Sequence, residues 1–241
     1  MHDPGLEIRT LETPEDMASI ATMFQQVWGS VEPIVGVELL RALAYSGGYV
    51  AGAFVSDHLI GASFGFLGRH EGEEAVHSHV TGILPGVQHT GVGRAVKDHQ
   101  REWAAERNIP WVTWTFDPLV RRNAWFNLEV LQARVSDYLV NFYGQMHDSI
   151  NTDEESDRLV IAWQTDSSVV PVRPTAPAGS RTVNVATPED IVVLRRTDPN
   201  AASDWRLRVR AELGDRLLHG AVVTEFTREG DYVLQVPEGV A

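Results

Sequence analysis

The part of the chain best suited to bind an anion is a glycine-rich loop with the sequence Gln88-His89-Thr90-Gly91-Val92-Gly93-Arg94. Glycines at 91 and 93 remove the Cβ atoms that would hold a ligand away from the backbone. The helical stretch that follows would point its first N–H groups, and the positive end of its dipole, at the same place. The spacing therefore predicts a cradle for a phosphate or pyrophosphate group.

Other glycine-rich binding loops differ from this one in the spacing of their glycines and neighbouring residues. A P-loop is excluded because no Gly-Lys-Ser/Thr follows. A dinucleotide-binding loop fits poorly, since it needs Gly or Ala three residues after Gly93, where Val96 stands, and an acidic residue about 20 positions further on. An ordinary strand-to-helix turn that uses glycine stays open as an alternative.

Just before the loop stands Ile83-Leu84-Pro85, so the stretch reads Ile-x-Pro followed by Gln-x-x-Gly-x-Gly. This pattern resembles the acetyl-coenzyme A signature of the GNAT family of N-acyltransferases. The resemblance implies that main-chain N–H groups of the loop hold the coenzyme A pyrophosphate and that the strand end pairs with the pantetheine amides. The coenzyme-binding residues implied in this way are Ile83, Leu84, Gln88, His89, Thr90, Gly91, Val92, Gly93, Arg94 and Asn123.

Two of these assignments have simpler alternatives. Asn123, in Arg122-Asn123-Ala124, matches an asparagine on the next helix of the family, but it could equally be an ordinary residue at a helix start. Ile83 and Leu84 could be plain core residues, and that is compatible with a main-chain role. We predict acetyl-coenzyme A as co-substrate and no metal.

Acyl transfer to an amine requires a base that accepts the amine proton. Many members of the family place a glutamate six residues before the Ile of Ile-x-Pro, and this chain has His77 there. Imidazole titrates near neutrality and can do this work directly or through a water. His79 would share its strand face, because side chains two apart point the same way. The alternatives are a surface pair without a role, a two-histidine metal site, or a base drawn from Glu73 or Glu74.

The departing thiolate needs a proton donor, which in the family is usually a tyrosine on the helix after the next strand. If Leu131-Gln132-Ala133 matches the end of that helix, Leu128 occupies the tyrosine position and can donate nothing. Tyr143 is the substitute that we predict. The plain alternative for Tyr143 is a core or rim residue.

Composition limits the remaining functions. The chain has 241 residues, 43% of them hydrophobic, and a net charge of −13, which argues against nucleic-acid or anionic-membrane binding because both favour basic patches. It has no cysteine, so thiolate catalysis and disulfides are excluded. No basic leader or long apolar run is present, and we therefore expect a cytoplasmic protein.

The predicted order of elements is β, α, α, three β, glycine loop, α, β, α, β, β over roughly residues 6–165. Two antiparallel hairpins before the loop do not match a doubly wound dinucleotide fold, in which parallel strands alternate with helices. The order is also that of the GNAT fold. We therefore predict an α/β protein with an α+β arrangement around a mixed sheet. The bounds predicted for the elements are helices over 14–28, 37–45 and 92–107, a helix started by Asp117-Pro118, and strands over 49–55, 59–67, 75–84, 111–116, 138–143 and 159–163.

We predict three segments: an acetyltransferase-like domain over 1–168, a proline-rich linker over 169–180, and a small α/β extension over 181–241. The extension should contain a helical stretch over 198–219 and a hairpin over 221–236. About 60 residues are marginal for independent folding. We therefore expect the extension to pack on the main domain or on a partner subunit in a homodimer.

Two functions from different classes remain. The first is an N-acetyltransferase that uses acetyl-coenzyme A and a small or peptidic amine of unknown identity. The second is a non-catalytic acyl-coenzyme A binding or regulatory module, suggested by the missing tyrosine and glutamate. A dinucleotide-dependent oxidoreductase is a minor third alternative.

Overall fold

The computed structural model describes residues 5–88, 90–147, 152–166, 176 and 178–240. Residues 169–175 and 177 of the predicted linker lie outside these residues, and so does His89. The chain forms two compact units. The first comprises Met1–Trp114 with Gln164–Asp166, and the second comprises Thr115–Trp163 with Ser167–Ala241. No helix among the described residues is long and apolar enough to cross a lipid bilayer.

The first unit contains a mixed sheet flanked by helices, as predicted. Its strands follow the order β1-β2-β3-β4-β5, with antiparallel pairing as far as β4 and parallel pairing between β4 and β5. The last two residues of β5 belong to the second unit. The elements are β1 (Leu6–Thr10), α1 (Pro14–Trp28), α2 (Val37–Tyr45), β2 (Tyr49–Val55), β3 (His58–His70), β4 (Glu73–Ile83), α3 (Val92–Ala105) and β5 (Trp111–Phe116).

Helix α1 begins and ends where local sequence predicts. The Thr13 side chain accepts a hydrogen bond from Asp16 N, and the Asp16 side chain accepts one from Thr13 N, which forms a capping box. Gly29 ends the helix in the left-handed conformation, at φ 60°. The buried face of α1, with Met17, Ile20 and Phe24 on it, packs in a core with residues of α2, β2 and β3.

Both hairpin loops are shorter than predicted. A three-residue loop was expected over 56–58, but His58 pairs with Val55, so the loop has two residues. Ser56 and Asp57 have φ values of 47° and 63°, and two left-handed residues in succession match the twist of the flanking strands. The polar turn expected over 68–74 is reduced in the same way to Glu71 and Gly72, because β3 and β4 run further than predicted.

A β-bulge interrupts the pairing of β3 with β4. Phe64 pairs with Val80 and Gly65 pairs with Ser78, so His79 is the additional residue on β4. A bulge changes which face the following side chains occupy. Ser78 therefore contacts α3, whereas Val80 packs against the core under α1.

The second unit contains two further sheets beside the pair β6–β9. Strands β6 and β9 are antiparallel, β7 pairs with β8, and a three-stranded antiparallel sheet has the order β10-β12-β11. The elements are α4 (Arg121–Trp125) with a π-helical turn (Phe126–Val130), β6 (Arg134–Leu139), β7 (Gln145–His147), β8 (Thr152–Glu155), β9 (Arg158–Gln164), β10 (Arg181–Ala186), α5 (Ile191–Thr197), α6 (Pro199–Val209) with a π-helical turn (Arg210–Gly214), α7 (Asp215–Leu218), β11 (Val222–Phe226) and β12 (Asp231–Val236).

Two predicted elements of this unit are wrong. Asp117 does not start a helix: α4 begins at Arg121, and the Asp117 carboxylate instead accepts from Leu119 N and from the Arg195 guanidinium. The strand expected over 138–143 is β6, which begins and ends earlier. Tyr143 consequently lies in a turn closed by a hydrogen bond from Gly144 N to Asn141 O at 3.0 Å.

The predicted helices and hairpin of the extension are present, whereas β10 and α5 were not predicted. Residues 181–241 form one compact unit with residues 115–163. Tyr232 donates a hydrogen bond to Pro118 O at 2.8 Å, and the Tyr138 ring lies so close to Gly214 that a Cβ there would approach it to 3.0 Å. The domain boundary at residue 168 stays a prediction.

Candidate active site

The glycine-rich loop ends in a helix start that depends on glycine. Gly91 is the N-cap of α3 and has φ 93°, a left-handed conformation that side-chain-bearing residues rarely adopt. Ala95 N donates to Gly91 O at 3.0 Å, which is the first bond of the helix. The N–H groups of the three residues between them precede this bond and point out of the helix start, where its dipole is positive.

The space beside the Gly93 Cα, where a side chain would stand, is open. A Cβ at this position would lie 3.9 Å from Ile83 Cγ1, and apart from the adjacent residues and the backbone of its own helix no other heavy atom of the described residues lies within 4 Å of it. Its φ is not positive, so the backbone does not require glycine either. The missing side chain therefore serves neither the packing nor the conformation of the protein, as expected if a ligand approaches the backbone there.

The strand end and the loop are held together by their own hydrogen bonds. Gln88 Nε2 donates to Ile83 O at 3.4 Å, and Thr90 Oγ1 donates to Val87 O at 2.6 Å. Leu84 N donates to Ile60 O at 2.9 Å. The Ile83 side chain packs with a small core beneath α3 that includes Val92, so core burial and a main-chain role coexist. The Leu84 N–H is already engaged, and its carbonyl accepts from Val87 N at 3.4 Å, which leaves the second lone pair of that oxygen for a ligand amide.

His77 is the last residue of β4 that pairs with β5. The parallel pairing joins Ala75, Val76 and His77 to residues 111–113, and β4 then continues to Ile83. The imidazole is half-buried, with Nδ1 3.1 Å from Thr113 Oγ1. Burial lowers the pKa of His77 to about 4, with further contributions from His79 and Lys97. The ring is therefore uncharged at neutral pH and able to accept a proton.

His79, the bulged residue, stays beside His77 as predicted from their spacing. The two ring centres lie 6.3 Å apart, and both rings contact Phe66. Burial also lowers the pKa of His79, whose side chain is nevertheless exposed. Among the described residues, no group of three or more His, Asp or Glu is placed to hold a metal ion.

A buried lysine that was not predicted from the sequence lies next to this pair. Lys97 on α3 is 5% exposed, donates to Ser78 Oγ at 2.8 Å, and lies 4.0 Å from the centre of the Trp114 ring. Burial lowers its pKa to about 7. Lys97, Gln100 and Ala104 recur at helical spacing and are all buried, so this spacing was the signal that could have found it.

The other predicted site residues lie in the second unit. Tyr143 is 40% exposed, its hydroxyl is 3.2 Å from Thr115 Oγ1, and its ring lies 5.3 Å from the Arg158 guanidinium. Asn123 lies in the short helix α4, where its N–H donates to Val120 O. Leu128 is 9% exposed in the π-helical turn. The loop, His77 and His79 thus belong to one unit, and Tyr143 and Asn123 belong to the other.

No protein-family model and no curated protein matches the chain in sequence. Solved structures match it in fold. The ribosomal-protein-S18-alanine N-acetyltransferase from Escherichia coli aligns with 15% identity and a TM-score of 0.53, over 66% of this chain and 94% of its own. The ribosomal-protein-S5-alanine acetyltransferase from Vibrio fischeri gives 13% identity and a TM-score of 0.53, over 69% and 97%.

A third match carries a ligand related to coenzyme A. Arabidopsis thaliana Naa50, in complex with the bisubstrate analogue CoA-Ac-MVNAL, aligns with 17% identity and a TM-score of 0.50, over 66% of this chain and 98% of its own. At such identities, the likeness is one of fold. The mixed sheet, the glycine-rich loop after β4 and these matches together show that the chain has the fold of the GNAT acetyltransferases.

Proposed function

We propose that the protein transfers an acetyl group from acetyl-coenzyme A to an amine. The observation that carries this proposal is the loop at the start of α3, where left-handed Gly91 sets the helix start and Gly93 leaves its backbone open to a ligand. An anionic ligand fits such a helix start. In a GNAT fold, the pyrophosphate of coenzyme A is the ligand that matches it.

The binding residues follow from this placement. The main-chain N–H groups of Val92, Gly93 and Arg94 would bind the pyrophosphate, and Gln88 and Thr90 keep the loop in shape through their own hydrogen bonds. Asn123 stays a proposal for a further coenzyme contact. The pyrophosphate needs no metal in this arrangement, because the helix dipole and the amides supply the positive charge.

We infer that His77 accepts the amine proton. When the amine nitrogen attacks the thioester carbonyl, the C–N bond forms, the C–S bond breaks, and a proton must leave the nitrogen. If Nδ1–H donates to Thr113 Oγ1, the other ring nitrogen, Nε2, carries the lone pair that accepts it. The thiolate is then protonated by solvent or by Tyr143, which we retain as the proposed donor because Leu128 cannot donate.

Replacing His77 by Ala is expected to lower turnover by roughly 100-fold at neutral pH, the lower end of the range for general bases. Affinity for coenzyme A should change little, because the loop is untouched. Thiol release from acetyl-coenzyme A measures turnover, and calorimetry measures affinity. His79→Ala is the matched control and should have a smaller effect.

Equal and mild effects of these two substitutions would contradict the assignment of the base. Glu74, which is exposed, would then be the next candidate for the general base. Glu73 is less suitable, because its Oε2 accepts from Trp111 Nε1 at 2.8 Å. Binding of coenzyme A without any turnover would instead support the second candidate function, a non-catalytic binding module, which buried Leu128 favours.

The pH profile gives an independent prediction for His77. Catalysis needs the neutral imidazole, and the pKa of His77 is lowered to about 4. Once the rate is divided by the uncharged fraction of the amine, activity should therefore be lost only as the pH falls toward 4 and not near 6.5. The profile of kcat/KM for wild-type protein from pH 4 to 8 measures this limb, with circular dichroism at each pH to report folding. A limb near pH 6.5 that His77→Ala removes would contradict the structure of the site.

A further inference from the structure

Four aromatic side chains on β3 and β4 form one cluster, which we call the ring cluster. Its members are Phe64, Phe66, His77 and His79. Phe66 lies 5.2 Å from the His77 ring and 5.7 Å from the His79 ring, centre to centre. Phe64 meets His79 edge-on at 5.5 Å. Phe66 is 38% exposed and His79 is also exposed, so the cluster offers solvent an apolar, aromatic surface next to the proposed base.

The charges around the proposed base do not favour a cation. The groups that act electrostatically on His77 are His79, on its own strand, and Lys97 on α3, and both are bases. The other neighbours that pack against its ring are Thr113 on β5 and Phe66 on β3, which are uncharged. Among the described residues no carboxylate contributes to the shifted pKa of His77, so the site offers an ammonium group no counter-charge, and the field of Lys97 in its protonated form disfavours a second cation.

The low pKa of His77 also disfavours a strongly basic amine as the acceptor. Lysine-type ammonium groups have a pKa of about 10.4, whereas burial lowers the pKa of His77 to about 4, so His77 is far too weak a base to take a proton from such a group before it attacks. An arylamine arrives uncharged at neutral pH. The N–H bond becomes strongly acidic once its nitrogen has attacked the carbonyl, so a weak base is sufficient.

We propose that the acceptor is a weakly basic amine carried on an aromatic group, bound with its ring against Phe66 and His79. The proposal rests on the proposed acetyltransferase activity and names its substrate class. In the reaction, the arylamine nitrogen forms the amide bond as the C–S bond breaks. Its proton passes to His77, and the sulfur leaves as thiolate.

The test compares two amines that share a ring and differ in basicity, p-anisidine and 4-methoxybenzylamine. Thiol release with acetyl-coenzyme A should give p-anisidine a kcat/KM at least about tenfold higher at pH 7. Between pH 7 and 8, the rate with the benzylamine should rise about tenfold, because its uncharged fraction rises by that factor. The rate with p-anisidine should stay level.

Two substitutions in β3 test whether the aromatic ring of the acceptor binds against Phe66; this position is the ring site. Phe66→Ala should raise KM for p-anisidine about tenfold, whereas Leu67→Ala, the neighbouring residue on β3 and 54% exposed, should leave it unchanged. Unchanged affinity for coenzyme A reports that both variants fold. An unchanged KM in Phe66→Ala overturns the ring site.

The outcomes separate this inference from the proposed function. Equal or faster turnover of the benzylamine, or of a lysine-containing peptide, overturns the inference and leaves acetyl transfer standing. Coenzyme A binding with no thiol release for any of the three amines overturns both.

Discussion

A Gly93→Val protein is expected to fold as the wild type does and to lose at least about 1,000-fold in affinity for coenzyme A. Outside its own helix and adjacent residues, the valine Cβ would contact Ile83 Cγ1, at 3.9 Å, and no other heavy atom of the described residues within 4 Å, so the protein itself has room for it. The side chain would fill the space where a pyrophosphate must approach the first amides of α3. The loss of two charge-assisted hydrogen bonds, at about 1.5–3 kcal/mol each, accounts for a change of this size.

The control for this experiment is Gly68→Val, in β3. A Cβ at Gly68 meets no heavy atom of the described residues within 4 Å, and its φ is not positive, so the substitution has the same steric character away from the loop. Titration calorimetry with coenzyme A and thermal unfolding give the two measurements. A folded Gly93→Val protein with wild-type affinity would show that the pyrophosphate binds elsewhere. Gly91 is a less clean test, because its φ of 93° would strain any side chain.

Asp117→Asn is expected to lower the free energy of unfolding by about 3–5 kcal/mol, the usual cost of removing one partner of a buried ion pair. Asp117 Oδ2 lies 2.5 Å from Arg195 Nη2, and these side chains are 9% and 1% exposed. Arg206 and Arg158 place nitrogens at 3.8 and 4.0 Å from the same oxygen. A neutral amide would leave these guanidinium groups without the carboxylate. Urea denaturation followed by tryptophan fluorescence measures the change.

The same site predicts how stability depends on pH. Burial raises the pKa of Asp117, but the guanidiniums of Arg195 and Arg206 more than offset this, and the net pKa lies below the ordinary 3.8. A depressed pKa stabilises the folded state above 3.8, and this stabilisation is lost as the pH falls further. The gap between wild-type and Asp117→Asn stability should therefore shrink below about pH 3.8. Asp204→Asn, an exposed position on α6, is the control, and an equal loss there would refute a special role for Asp117.

Elements fixed by nearby residues were predicted well. Helix α1 has its cap, proline and closing glycine within the stretch from Thr13 to Gly29, and the prediction of its bounds is confirmed. The glycine-rich loop could also be predicted, because the left-handed Gly91 and the helix after it are adjacent in sequence. The mixed sheet followed from the order of these local elements.

Features set by distant residues were not predicted. Asp117 looks like a helix cap in sequence, but its carboxylate is taken by Arg195, 78 residues away. The bulge at His79 depends on the register with β3, which no single strand reveals. The burial of Lys97 depends on Ser78 and Trp114, from two different strands. The chemical setting of His77 therefore had to come from the structure.

The central strand of the three-stranded sheet is β12, which follows both of its neighbours in the chain. Both neighbours, β10 and β11, pair with it, and its Tyr232 hydrogen-bonds Pro118, 114 residues earlier. During synthesis from the N-terminus, this sheet consequently cannot complete its pairing until Asp231–Val236 has emerged from the ribosome. A premature stop shortly before Asp231 would therefore leave β10 and β11 without the strand that both pair with, and the Pro118 carbonyl without the Tyr232 hydroxyl.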